Sequence, residues 1–75
     1  MTKIEIDNKM FGYHIYPRFD KVYAEIYYTG INDKLEIQVL NEEFGSNWRK
    51  PIESDYTKAE IWCKRQLKYI REANM

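Results

Sequence analysis

Cysteine and histidine are nearly absent from this chain of 75 residues, which contains one of each, Cys63 and His14. A single cysteine cannot form an internal disulfide, and this usage is typical of proteins in a reducing cytoplasm. One cysteine and one histidine cannot complete a zinc site either. Their predicted elements differ, which argues against a cysteine–histidine nucleophile pair. We therefore predict a cytoplasmic protein with no metal and no catalytic residues.

Glycine and long apolar runs are also scarce. Gly12, Gly30 and Gly45 each stand alone, so no phosphate-binding loop is predicted. No apolar run approaches the roughly 20 residues needed to span a bilayer. Residues 1–7 carry neither the basic region nor the apolar run of a signal peptide. We expect no cofactor and no membrane partner.

The residues that are abundant indicate one small globular domain. Hydrophobic residues make up 44% of the chain and aromatic residues 16%, which is too apolar for a disordered segment. The formal net charge is zero, but its distribution is uneven. From Lys58 onward there are five basic and two acidic residues, whereas residues 1–57 carry seven basic and ten acidic ones. This asymmetry predicts two surfaces of opposite charge.

Alternation of apolar and polar residues predicts four strands, at residues 3–7, 10–16, 21–29 and 34–40. Turn-forming residues separate them, including Gly30-Ile31-Asn32-Asp33 before the fourth strand. Short connections favour an antiparallel meander in the order 1-2-3-4. The face predicted to be buried comprises Ile4, Ile6, Phe11, Tyr13, Ile15, Val22, Ala24, Ile26, Tyr28, Leu35, Ile37 and Val39.

Residues 41–56 show no period and are predicted to form a loop. This loop is long for a small domain, and loops of such length are often functional. Aromatic residues in a crossing loop usually pack against the elements they connect. We therefore expect Phe44, Trp48 and Ile52 to fill the edge between the sheet and the following helix.

The last quarter of the chain predicts an amphipathic helix over residues 58–73. Thr57 and Glu60 have the spacing of a capping box, which places the helix start at Lys58 and not at Ser54 or Asp55, although Asp55 could cap an extra turn. One helical face is predicted to be buried: Ala59, Trp62, Cys63, Gln66, Leu67, Tyr69, Ile70 and Ala73. The predicted fold is therefore α+β, a four-stranded antiparallel β-meander packed on one face by a single C-terminal α-helix, in a ββββα two-layer sandwich.

This fold leaves one sheet face uncovered, and that face is rich in tyrosine. It is predicted to present Met10, His14, Tyr16, Tyr23, Glu25, Tyr27, Glu36 and Gln38. Tyrosine suits protein contacts because it offers a large area at low entropic cost, although it is also common in strands for intrinsic reasons. Base stacking is disfavoured because Glu25 and Glu36 repel phosphate. The main hypothesis is a protein-binding surface at His14, Tyr16, Tyr23, Glu25 and Tyr27.

A second candidate surface is the basic side of the helix, formed by Lys64, Arg65, Lys68 and Arg71. These cations suit the C-terminal half of a helix, where its dipole favours positive charge. They could also contact phosphate in nucleic acid, but the isoelectric point of about 6.6 is low for a nucleic-acid-binding domain. A third possibility is a structural subunit that forms a homodimer through an exposed edge strand.

The helix pattern Ala59-x-x-Trp62-Cys63-x-x-x-Leu67, following a short β-meander, resembles that of many small bacteriophage and prophage proteins. The resemblance covers the layout of the elements and the helix pattern. It implies a non-catalytic module that binds and inhibits or redirects a host protein, either in defence or in regulation. The leading prediction is therefore a phage-encoded modulator of a host protein.

Overall fold

The sheet contains four strands joined in chain order. In the computed structural model, which describes residues 3–30, 32, 34–46 and 48–74, the strands are β1 (Lys3–Ile6), β2 (Lys9–Arg18), β3 (Lys21–Gly30) and β4 (Ile37–Phe44). Every neighbouring pair is antiparallel, in the order β1-β2-β3-β4. One helix, α1 (Glu53–Ala73), packs on one face of this sheet. The predicted α+β architecture is confirmed.

The first two turns are tight and fix the register of the sheet. Asp7 and Asn8 join β1 to β2 with φ values of 51° and 63°, as a type I′ hairpin requires. Phe19 and Asp20 join β2 to β3, and Phe19 has a φ of 60°. Two residues of the predicted third turn, Ile31 and Asp33, lie outside the described residues.

The second strand is longer than predicted because Pro17 does not end it. Pro17 pairs in register with Val22 of β3, while β1 reaches only as far as Gly12. Within the described residues, the side of β2 that faces away from β3 is therefore unpaired at Pro17. A proline is tolerated at such a position because no ladder hydrogen bond is lost there.

The fourth strand begins three residues later than predicted and ends at Phe44, so the predicted loop over residues 41–56 is wrong at its start. Its register with β3 is interrupted by a bulge. Ile26 lies opposite Leu40 and Tyr27 lies opposite Gln38, so Val39 is the extra residue. The bulge reverses the alternation after Val39, which places Leu40 and Phe44 on the helix side of the sheet.

The helix begins at Glu53, five residues before the predicted start, so the loop prediction is also wrong at its end. The Asp55 carboxylate accepts a hydrogen bond of 3.0 Å from the Ile52 backbone N–H and so caps an extra turn. Thr57 is inside the helix, where its hydroxyl donates to the Glu53 carbonyl at 3.1 Å. The capping box predicted at Thr57 and Glu60 is therefore wrong.

The core lies between α1 and the middle of the sheet. Its buried members come from β1, β3 and the helix: Ile4, Val22, Ala24, Ile26, Ala59, Cys63 and Leu67. Phe44 packs at its side, with its ring 6.3 Å from that of Trp62. Each of the seven buried residues was predicted to face inward, because both the strand and the helix periodicities place them there.

Several residues predicted to be buried are exposed, because the helix covers β3 more than β4. Leu35, Ile37 and Val39 are 66%, 43% and 44% exposed. On the helix, Tyr69 is 52% exposed and Ala73 is also exposed. Of the three residues expected to pack in the loop, only Phe44 does so, whereas Trp48 is 87% and Ile52 48% exposed.

Candidate functional site

The sheet face opposite the helix carries the residues predicted to bind a partner. The register places His14 opposite Glu25, Tyr16 opposite Tyr23 and Gly12 opposite Tyr27. Since opposite residues of an antiparallel pair share a face, all five predicted contact residues lie on this one surface. We call it the outer face.

The centre of the outer face is a stack built on Gly12. The Tyr27 ring lies across this glycine so closely that a Cβ atom at Gly12 would be 2.7 Å from the Tyr27 Oη. His14 stacks on the same ring, with centroids 4.3 Å apart and planes 2° from parallel. Its Nε2 is 3.1 Å from both carboxylate oxygens of Glu36. The stack therefore fixes both ring orientations.

A second group of side chains surrounds Tyr23. The Tyr16 ring packs against it at 5.3 Å, and the Arg18 guanidinium lies 5.0 Å from its centroid. The Tyr23 hydroxyl donates to the Gln38 side-chain oxygen at 3.2 Å. Partial burial by these neighbours raises the pKa of Tyr16, and the charge of Glu25 raises it further. Each ring is thus fixed by stacking, by a cation or by a hydrogen bond.

This packing corrects part of the predicted site. Tyr23 and Tyr27 were expected to be exposed contact residues, but they are only 8% and 5% exposed. They are buried by neighbours on their own face rather than by another layer. Of the five predicted contact residues, Tyr16 is exposed, and His14 and Glu25 are half-buried. One feature of the sequence could have predicted this arrangement. Gly12 lies within β2, and a strand glycine often accommodates an aromatic ring from the next strand.

The basic residues of the helix also lie where they were predicted. Lys64, Arg65, Lys68 and Arg71 are all exposed. Lys64 is paired with Glu60 at 3.0 Å, and hydrogen bonding to that carboxylate raises the pKa of the lysine. An open groove of about 250 Å³ between β1 and the helix is lined by Ile4, Lys64, Leu67, Lys68 and Arg71. Arg65 is not part of this lining.

The sequence analysis missed an ion pair between exposed Arg49 and buried Asp55, which connects the loop to the helix. Asp55 is 2% exposed and accepts two hydrogen bonds from Arg49, of 2.7 Å and 3.2 Å. Arg49 and the Ile52 N–H lower the pKa of Asp55 from 3.8 to about 2. Gly45, with a φ of 121°, lies beside this carboxylate and against the backbone of Asp20. The arrangement is structural, since it joins the loop, the helix start and the second hairpin.

The described residues include neither an exposed thiol nor a cluster of metal-ligating side chains. Cys63 is fully buried, and burial raises the pKa of its thiol to about 12. Within the described ranges, no three histidine, cysteine, aspartate or glutamate side chains are grouped so that they could hold a metal ion. The one helix in the described part of the chain is not long and apolar enough to cross a membrane.

The fold and its outer face define a small α+β domain with an ordered, partly aromatic sheet surface. No protein-family model, no curated protein and no solved structure matches this chain.

Proposed function

We propose that this protein is a non-catalytic interaction module that binds another protein through its outer face. The observation that carries this proposal is the stack of His14 on Tyr27, with Glu36 holding the imidazole in place. Side chains that are already ordered lose little conformational entropy when a partner binds. The outer face therefore offers a rigid surface of aromatic and polar groups, as protein contacts require.

The roles of the individual residues follow from their exposure. Tyr23 and Tyr27 form the buried base of the surface, and Tyr16, His14 and Glu25 are the predicted contact residues that remain accessible. Only the accessible residues are suited to test binding, because replacing a buried tyrosine would disturb the sheet itself. The resemblance to small phage proteins supports a bacterial host protein as the partner, bound so that its activity is inhibited or redirected.

The test is an affinity capture from lysate of the bacterial host with three baits. These are the unmodified protein, a Tyr16→Ala/His14→Ala variant and an Ile61→Ala control. Ile61 is 51% exposed on the helix, on the other side of the molecule from the outer face. Nuclease treatment of half of each sample separates direct protein binding from binding through nucleic acid.

We expect one stoichiometric protein to be retained by the unmodified chain and the Ile61→Ala control after nuclease treatment, and to be lost from the double variant. Circular dichroism of all three baits checks that they fold alike. A partner retained equally by the double variant would disprove the assignment of the outer face.

A second candidate function is supported by the groove beside the helix, where Lys64, Lys68 and Arg71 surround an apolar floor of Ile4 and Leu67. Three cations around a groove could bind phosphate groups of nucleic acid. Such binding should weaken steeply between about 50 and 200 mM salt, because phosphate contacts release counterions. A Lys68→Glu/Arg71→Glu variant should abolish it, whereas the Tyr16→Ala/His14→Ala variant should bind normally. Binding that is insensitive to salt would exclude this alternative.

A further inference from the structure

The open edge of β4 is the least covered part of the sheet. Every residue of this strand except Phe44 is exposed, including Ile37, Val39 and Leu40 at 43–44%. No other strand in the described ranges pairs with this edge. Residues 37–44 contain no proline and no lysine, two residues that proteins use to block edge pairing, although Glu42, Glu43 and the bulge at Val39 lie in this strand. An edge with these properties is suited to pair with another strand.

The hydrogen bonding of β4 shows which of its backbone groups face the open edge. The Glu43 backbone N–H donates at 3.1 Å to the carboxylate of the preceding residue, Glu42. This N–H therefore points away from β3, toward the open edge. In an antiparallel strand alternate residues point the same way, so the Asn41 N–H is also directed to the open edge. A neighbouring strand would supply backbone acceptors for both groups.

Two copies of β4 can be aligned antiparallel about Asn41 without placing one glutamate opposite another. If two copies of β4 pair around a twofold axis at this residue, Asn41 lies opposite Asn41 and Leu40 lies opposite Glu42. With the bulge at Val39 kept as it is against β3, Gln38 then lies opposite Glu43, and Ile37 opposite Phe44. In this register each pair has both members on the same face of the sheet, and no glutamate faces a glutamate.

We propose that the partner of this edge is a second copy of the chain, paired antiparallel along β4 with its twofold axis at Asn41. The product is a continuous eight-stranded sheet with both helices on one face and both outer faces on the other. Ile37 and Phe44 of the two copies extend the core across the new boundary. This dimer does not use the five predicted contact residues of the outer face, so it and the proposed function can fail independently.

The first measurement is the mass of the purified protein in solution between about 10 µM and 1 mM, by sedimentation equilibrium. We expect a reversible monomer–dimer equilibrium. Two lysines in the edge should weaken it by roughly 100-fold or more, because their charges would be desolvated in the interface. The variant is Ile37→Lys/Leu40→Lys, and the control is Ile61→Lys, a similarly exposed site outside β4.

The second measurement tests the register by cysteine cross-linking. Across the axis the Cα atoms of the two Asn41 residues would be about 5.5 Å apart, within the range of about 4.4–6.8 Å that a disulfide spans. An Asn41→Cys variant should therefore cross-link under mild oxidation. Glu43→Cys alone should not, because its two copies would be about 14 Å apart. A mixture of Gln38→Cys and Glu43→Cys should cross-link as a heterodimer.

The native Cys63 does not interfere with this test because it is fully buried. A chain that remains monomeric at 1 mM, or a dimer unaffected by Ile37→Lys/Leu40→Lys, would overturn the proposal. It would also be overturned if Glu43→Cys cross-linked as readily as Asn41→Cys, since the copies would then pair in another register or associate without order. Capture of a different protein at β4, prevented by the same lysines, would likewise exclude the second copy as its partner.

Discussion

Asp55 shows how one buried carboxylate can decide where a helix begins. It accepts hydrogen bonds from the Arg49 side chain and from the Ile52 backbone. Sequence spacing drew attention instead to Thr57 and Glu60, which have the pattern of a capping box. The helix begins earlier than that pattern predicts because Arg49, six residues upstream, neutralises the Asp55 carboxylate and holds it in place. A contact between a loop and a helix has no periodic signal, so sequence reasoning could not find it.

The low pKa of Asp55 predicts how stability depends on pH. Its pKa falls from 3.8 to about 2 in the folded protein. The unfolded chain therefore binds more protons between these values, and stability falls with decreasing pH. The contribution of this carboxylate is complete above about pH 4 and is lost as the pH falls through about 2. Urea midpoints measured from pH 2 to 6 should fall less steeply in Asp55→Asn than in the unmodified protein.

The control for this titration is Glu53→Gln, which removes an exposed carboxylate from the same helical turn. We expect its pH profile to follow that of the unmodified protein. Above pH 4, Asp55→Asn should unfold about 5–10 °C lower, because Arg49 loses its charged partner. Parallel profiles for Asp55→Asn and the unmodified protein would show that Asp55 does not carry the predicted effect.

Phe19 is held in a backbone conformation that opposes stability. Its φ is 60°, which is unfavourable for a bulky residue, and its side chain is 92% exposed. The hairpin would fold more easily with glycine at this position. We therefore expect Phe19→Gly to raise the melting temperature by about 4–8 °C. Phe19→Ala is the matched control, because it removes the ring but keeps the strain, and its melting temperature should change little.

A rise in both variants would attribute the effect to the exposed ring rather than to the backbone. Phe19 stays in the sequence although it adds nothing to the core and strains the turn. Strained, exposed residues of this kind are often retained for function. Loss of partner binding in Phe19→Ala would extend the contact surface to this hairpin.

At the scale of the elements, hydrophobic periodicity predicted the features that depend on the sequence of each segment alone. The order of the strands, the antiparallel meander, the C-terminal helix and all seven core residues are confirmed. The fourth strand was displaced because a bulge depends on its pairing with β3, which a single-strand pattern does not reveal. The burial of Tyr23 and Tyr27 was missed for a similar reason, because it arises from side chains of the two neighbouring strands, β2 and β4.

The packing of the helix on the sheet predicts that the thiol of Cys63 is unreactive. Cys63 is fully buried between α1 and β3, and its pKa is raised to about 12 because the thiolate would be desolvated. A thiol reagent should therefore label the protein only when the helix leaves the sheet. At pH 8, labelling should be negligible in buffer and should become complete across the urea unfolding transition. Rapid labelling of the native protein would show that the helix packs more loosely than this structure indicates.

At the scale of the whole molecule, the two proposed surfaces face different directions. The outer face lies opposite the helix, and the β4 edge lies at the end of the sheet. Pairing along β4 would place two outer faces side by side in one sheet. A dimer could then contact a twofold-symmetric partner through both outer faces. Binding at one face raises the effective concentration of the partner at the other, which strengthens the overall binding.

Dimerisation also predicts that thermal stability depends on protein concentration. A second copy that binds only the folded chain stabilises it by mass action, so the melting temperature should rise as the concentration increases. For the unmodified protein we expect a rise of several degrees between about 10 µM and 1 mM, measured by scanning calorimetry. In Ile37→Lys/Leu40→Lys the melting temperature should be constant over this range. The Ile61→Lys control should retain the rise, because the charge it adds lies away from the β4 edge. A melting temperature independent of concentration in all three proteins would mean that the apolar residues of β4 remain exposed in the folded monomer.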